Sequence, residues 1–228
     1  MKEKITKVET LAVPFALEDI NENMTISTHS ASKPSKDQII NQAFKFHAEN
    51  NIPKAAQYYQ YFINKGFKDH RVFSNYGNIL RDLGNLKEAE LSLRKAIELN
   101  GDFADARLNL GNILRDLGKL EEAENSYRKA IELNPDFAQA HLNLGAVLID
   151  LGKLQDAELS TRKAIEIKPN LGDAYITLGI VLLQRGEQDL SQTYFSRSAE
   201  ILRGEKIQET THSRFTTISK AKIEHDIE

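Results

Sequence analysis

The sequence predicts an all-α protein, an array of about five stacked helix-turn-helix hairpins, and three observations carry that expectation. The chain of 228 residues repeats itself at an offset of 34, with NILRDLG at 78–84 and again at 112–118. At that offset residues 70–103 and 104–137 agree at 23 positions of 34, and 104–137 and 138–171 agree at 21, which chance does not produce. Within each unit, apolar residues recur at spacings of three and four in two runs, the period of two amphipathic helices.

The units follow in order as 36–69, 70–103, 104–137, 138–171 and 172–205, the outer two being weaker copies. In the third, Leu110, Ile113, Leu114 and Leu117 mark a first helix, and Leu120, Ala123, Tyr127, Ala130 and Ile131 a second. Gly118 divides them, as Gly84, Gly152 and Gly186 do elsewhere, in the slot where a left-handed residue ends a helix. Pro135 and Pro169 stop the second helix from running on. Gly77, Gly111, Gly145 and Gly179 fall inside the first helix, where glycine costs about 1 kcal/mol relative to alanine. Close helix approach offsets that cost, and Ala89, Ala123 and Ala157 are the expected residues opposite. The first unit has Ala43 and Asn50 in glycine slots, and the fifth has Ser191 and Ser198 in alanine slots, as terminal caps would. Residues 1–35 read as a flexible N-terminal segment, and 206–228 as a C-terminal tail or short solvating helix.

Composition narrows the function classes. Thirty basic and 33 acidic residues leave a net charge of −3, a poor match to nucleic acid or an anionic membrane. No cysteine is present, so thiol nucleophiles and thiolate metal sites are excluded. The apolar run Leu11 to Leu17 is short, interrupted by Pro14 and followed by Glu18 and Asp19, so no signal peptide and a cytoplasmic location are expected. The histidines at 29, 47, 70, 141, 212 and 225 include no i, i+4 pair that would hold a metal on one helix. Glu90, Glu124 and Glu158 each precede an arginine by four residues, which reads as helix-stabilising ion pairing on a solvated face rather than acid–base chemistry. An enzyme, a cofactor and a metal are therefore not expected.

In the third unit Leu110, Gly111, Leu114, Ala123, Tyr127, Ala130 and Pro135 resemble the tetratricopeptide repeat signature, although Arg107 and His141 stand where the family often places a large residue. Residues 104–137 most resemble the repeat arrays of O-linked N-acetylglucosamine transferases, without the catalytic region. The resemblance implies a right-handed α-solenoid whose first helices line a concave groove. The expected groove residues are Asn41, Asn75, Asn78, Asn109, Asn112, Asn143, Arg81 and Arg115, with an apolar C-terminal part of Leu142, Ile149, Ile176, Ile180 and Leu183. An asparagine ladder in those transferase arrays holds polypeptide, and side-chain amides both donate to and accept from a main chain. The positions that would grip a carboxylate in chaperone-binding relatives are Ser74, Asn78, Asn109, Gln139 and Asn143, with no cation among them. The expected function is a non-catalytic scaffold or adaptor for a polypeptide partner. The alternative is a recruitment arm serving a separate glycosyltransferase or methyltransferase; partner, pathway and oligomeric state are not legible.

Overall fold

A computed structural model describes residues 34–204, which form ten α-helices with no strand among them. The N-terminal segment, residues 1–33 of the expected tether, and the tail beyond 204 lie outside the described residues. The helices are α1 (Lys36–Ala48), α2 (Ile52–Asn64), α3 (His70–Asp82), α4 (Leu86–Leu99), α5 (Ala104–Asp116), α6 (Leu120–Leu133), α7 (Ala138–Asp150), α8 (Leu154–Ile167), α9 (Gly172–Gln184) and α10 (Gln188–Leu202). They pair in sequence as hairpins and group into two compact units, divided between Pro135 and Asp136. The first unit holds hairpins α1/α2, α3/α4 and α5/α6; the second holds α7/α8 and α9/α10.

Local chemistry sets the helix ends. Ser35 starts α1 with a capping box: its Oγ accepts from the Gln38 N–H at 3.2 Å, and Gln38 Oε1 accepts from the Ser35 N–H at 2.8 Å. Asp69 caps α3 through the Arg71 N–H at 2.9 Å. At the end of α3, Gly84 takes φ of 78° and lets the Asn85 N–H reach the Leu80 carbonyl at 2.8 Å. In the first hairpin Asn50 fills the same slot at φ 55°, the only described non-glycine residue with positive φ. Asparagine tolerates that region better than other side chains, so Asn50 performs the turn expected of a glycine.

The interior glycines do face the second helix, but the alanines are not their tightest neighbours. A Cβ added at Gly111 would stand 2.5 and 2.7 Å from ring atoms of Tyr127; at Gly77 it would stand 2.9 Å from Leu93 Cγ. The alanines contribute backbone, with the Ala89 and Ala157 carbonyl oxygens 3.3 Å from the built Cβ positions at 77 and 145. The side chain four residues further along therefore lies over each glycine, and at Gly111 the three nearest atoms all belong to Tyr127 rather than to Ala123, which is itself buried.

Tyr76 departs from its register. Leucine occupies the equivalent site at 110, 144 and 178, whereas Tyr76 is 2% exposed and its hydroxyl has no hydrogen-bond partner among the described residues. Burial, with Glu88 nearby, pushes that hydroxyl up to about 12. An unsatisfied buried hydroxyl costs about 1–3 kcal/mol. Tyr76→Phe is expected to stabilise the protein by about 1 kcal/mol, a rise of roughly 2–4 °C in Tm. An unchanged or lower Tm in a thermal melt would count against the orphaned hydroxyl.

Ion pairs join the outer helices. Arg94, Arg128 and Arg162 meet Glu90, Glu124 and Glu158 at 2.8, 2.9 and 2.7 Å. Glu90 also binds Lys119 at the start of the next second helix, at 2.7 Å, and Arg94 reaches Glu122 at 2.7 Å. Burial pushes the Glu90 carboxyl up, but hydrogen bonds and charge from Lys119 and Arg94 outweigh it and hold the group below the ordinary value of 4.5. A lowered carboxylate pKa stabilises the fold above the unfolded-state value and ceases to do so as pH falls through the folded one. Glu90→Gln is thus expected to cost about 0.2–1 kcal/mol for each of the two pairs at neutral pH. It is expected to cost nothing once Glu90 is protonated. Denaturation curves of both proteins at neutral pH and at acid pH where Glu90 is protonated give the two values, and an equal gap at both would remove the electrostatic account.

Candidate functional site

In the first unit α1, α3 and α5 stand side by side as a wall. The Arg71 guanidinium of α3 lies 5.2 Å from the Phe44 ring centre on α1, and Asp69 holds that guanidinium through Nε and Nη2 at 3.1 and 2.9 Å. Arg81 of α3 donates from Nε to Asp116 Oδ2 of α5 at 2.7 Å. Arg81 is therefore a strut between wall helices as well as a surface cation.

The amides divide by how they are held. Asn41 is exposed and Asn75, Asn78, Asn109 and Asn112 are half-buried. No side-chain hydrogen bond joins Asn41, Asn78 or Asn109 to another described residue. Asn75 donates from Nδ2 to the Tyr59 hydroxyl at 3.2 Å, and that hydroxyl lies 2.9 Å from His47 Nδ1. Asn112 accepts on Oδ1 from the Tyr127 hydroxyl at 2.9 Å. Arg115 is exposed. The tyrosines were not expected here. The signal that could have found them is their shared slot, since Tyr59 and Tyr127 align with Leu93, Thr161 and Phe195.

In the second unit α7 and α9 are neighbours. Asn143 is half-buried and accepts on Oδ1 from Gln139 Nε2 at 2.8 Å. Ile149 and Ile180 are half-buried, Ile176 is 36% exposed and Leu183 is 50% exposed. Leu142 does not belong with them: it is 5% exposed and packs with Ala164 and Ala174 under Ile165 and Leu171. The register explains the difference. Leu142 shares its slot with Ile40, Ser74 and Leu108, which are 5%, 3% and 8% exposed, and with Ile176 in the last described hairpin. That slot points into the packing between hairpins, so Leu142 is core and Ile176 is the member left open.

The first unit's wall thus offers amides, the first helices of the second unit offer branched apolar side chains, and neither unit brings together a catalytic constellation among the described residues. No group of three or more histidine or acidic side chains there could hold a metal ion, and no described helix is long and apolar enough to cross a membrane.

Comparison with known proteins agrees with this architecture. The family described as TPR repeat matches residues 77–114 and 111–152, and that described as tetratricopeptide repeat matches 138–171. Residues 77–171 are therefore similar to tetratricopeptide repeats. No curated protein matches the chain. Among solved structures, a crystal structure of MamA is 24% identical with a TM-score of 0.65, over 72% of this chain and 95% of that one. MamA from Desulfovibrio magneticus RS-1 is 17% identical with a TM-score of 0.68, over 78% and 100%. YrrB, described as a TPR protein with an unusual peptide-binding site, is 20% identical with a TM-score of 0.63, over 82% and 93%. At these identities the likeness establishes the fold, all-helical and of the repeat-solenoid class.

Proposed function

We propose that this protein is a non-catalytic cytoplasmic scaffold that holds an extended stretch of a partner polypeptide against its first helices, in a groove of the tetratricopeptide kind. The observation that carries the reading is the row of wall amides at one register, three helices running in the first unit, with Asn41 and Asn109 bonded to no other described side chain. A half-exposed amide without an internal partner keeps its full capacity to donate to and accept from a main chain. Peptide binding by YrrB, a protein of like fold, supports the same reading. The groove residues are Asn41, Asn75, Asn78, Asn109, Asn112, Arg81 and Arg115 in the first unit, and Asn143, Ile149, Ile176, Ile180 and Leu183 in the second.

The resemblance of residues 104–137 to the arrays of O-linked N-acetylglucosamine transferases favours a second reading, in which the same groove recruits substrate for a separate catalytic subunit. Calorimetric titration of a bound peptide against wall variants tests the groove itself. Copurification of a glycosyltransferase or methyltransferase separates the second reading from the first.

A further inference from the structure

Three side chains in the first two hairpins share one buried hydroxyl. Tyr59 is fully buried, with its ring packed edge-on to Phe44 at 6.0 Å and to His47 at 5.8 Å between centres. A phenol carries one proton to give and lone pairs to accept with. The Asn75 amide nitrogen can only donate, so at 3.2 Å it fills one lone pair of the Tyr59 oxygen. Among the described residues the hydroxyl proton then has a single acceptor in reach, His47 Nδ1 at 2.9 Å. A buried donor left without an acceptor is costly, so Nδ1 is the bare nitrogen of His47 and Nε2 carries its proton. Burial pushes the Tyr59 hydroxyl up to about 12, so the proton stays in place throughout the neutral range.

The chain of bonds fixes what the wall shows. Asn75 has its nitrogen turned to Tyr59, which leaves Oδ1 as an acceptor; His47 has Nδ1 turned to the same oxygen, which leaves Nε2–H as a donor. Neither of these two atoms is bonded to another described residue, and both residues are half-buried rather than buried. One acceptor and one donor on neighbouring wall helices are the complement of the N–H and C=O of an extended polypeptide. We propose that Tyr59 is a positioning residue that presets Asn75 as an acceptor and His47 as a donor for a ligand's main chain, so that a peptide seats there in one register. This rests on the groove reading and adds to it a fixed hydrogen-bond polarity at the second hairpin.

The test uses the full chain and peptides selected on it from a random-peptide library. Tyr59→Phe keeps the ring and removes only the hydroxyl. It is expected to weaken the selected peptides roughly two- to tenfold, the worth of one or two hydrogen bonds, with little change in Tm. Replacing each peptide N–H in turn by an ester oxygen is expected to find one position whose replacement weakens wild-type binding and costs much less in Tyr59→Phe. Nitrogen NMR of the free protein is expected to show His47 as the Nε2–H tautomer in wild type and as a mixture in Tyr59→Phe. Equal affinity of the two proteins, an ester effect that is the same in both, or a mixed tautomer in wild type would overturn the proposal. If Asn109→Ala weakens binding while Tyr59→Phe does not, the groove stands and the preset polarity fails. If the library yields no binder in the groove, both fail.

Discussion

Gly111→Ala is expected to lower stability by about 2 kcal/mol, although helix propensity alone would raise it by about 1. The sign turns on the Tyr127 ring. A methyl at 111 would stand within 2.5–2.9 Å of three ring atoms, and that ring is 1% exposed and tied through its hydroxyl to Asn112, so it has nowhere to turn. Overpacking of this kind costs about 1–3 kcal/mol, and a ring pinned at both ends puts Gly111 at the upper end. Urea denaturation should show the loss as a lower midpoint at unchanged slope, and a melt should fall by roughly 4–8 °C. The control is the Tyr127→Ala background. There the obstruction is gone, so the added methyl is expected to be neutral or to stabilise, and the two changes will not add. A Gly111→Ala protein more stable than wild type would show that the hairpin opens to accept the methyl.

This contact marks the boundary of what the sequence discloses. A glycine kept inside a helix implies close approach, and the alternation of small and large residues locates the second helix, because both are local and periodic. Which side chain lies over the glycine depends on how two helices cross, and the 34-residue pattern is silent on that; hence Ala123 was expected and Tyr127 was found. Asn50 was legible as the stand-in for a turn glycine, because the slot is defined by its neighbours along the chain. Leu142 was not separable from Ile149 by periodicity. Both lie on the same stripe of α7, and only the packing of Ala164 and Ala174 makes the one core and leaves the other half open. The Asn75–Tyr59–His47 chain spans separations of 16 and 12 residues across three helices, beyond the reach of any local pattern.

Replacement of Asn75, Asn109 and Asn143 together by alanine is expected to cost about 1.5–4.5 kcal/mol of peptide binding, at about 0.5–1.5 kcal/mol for each bond. That is roughly a tenfold to thousandfold loss of affinity or slightly more. The fold has little stake in these amides. Asn109 is bonded to no other described side chain, Asn143 meets Gln139 on an exposed edge among its contacts, and Asn75 loses one bond to a hydroxyl that still has His47. The melting temperature should therefore move by no more than about 1 kcal/mol of stability implies, roughly 2–4 °C. Ile149→Asp with Leu183→Asp serves as the chemical converse. It leaves the amides in place and should weaken only those peptides that set an apolar side chain against the second unit. Calorimetry of the same peptides against both variants, beside a melt of each, separates the cases. A triple variant that binds like wild type moves the interaction to the outer helices or to segments beyond 34–204. A triple variant that unfolds assigns the asparagines to the hairpins themselves, because a side chain that serves only a ligand can be removed without cost to the free protein.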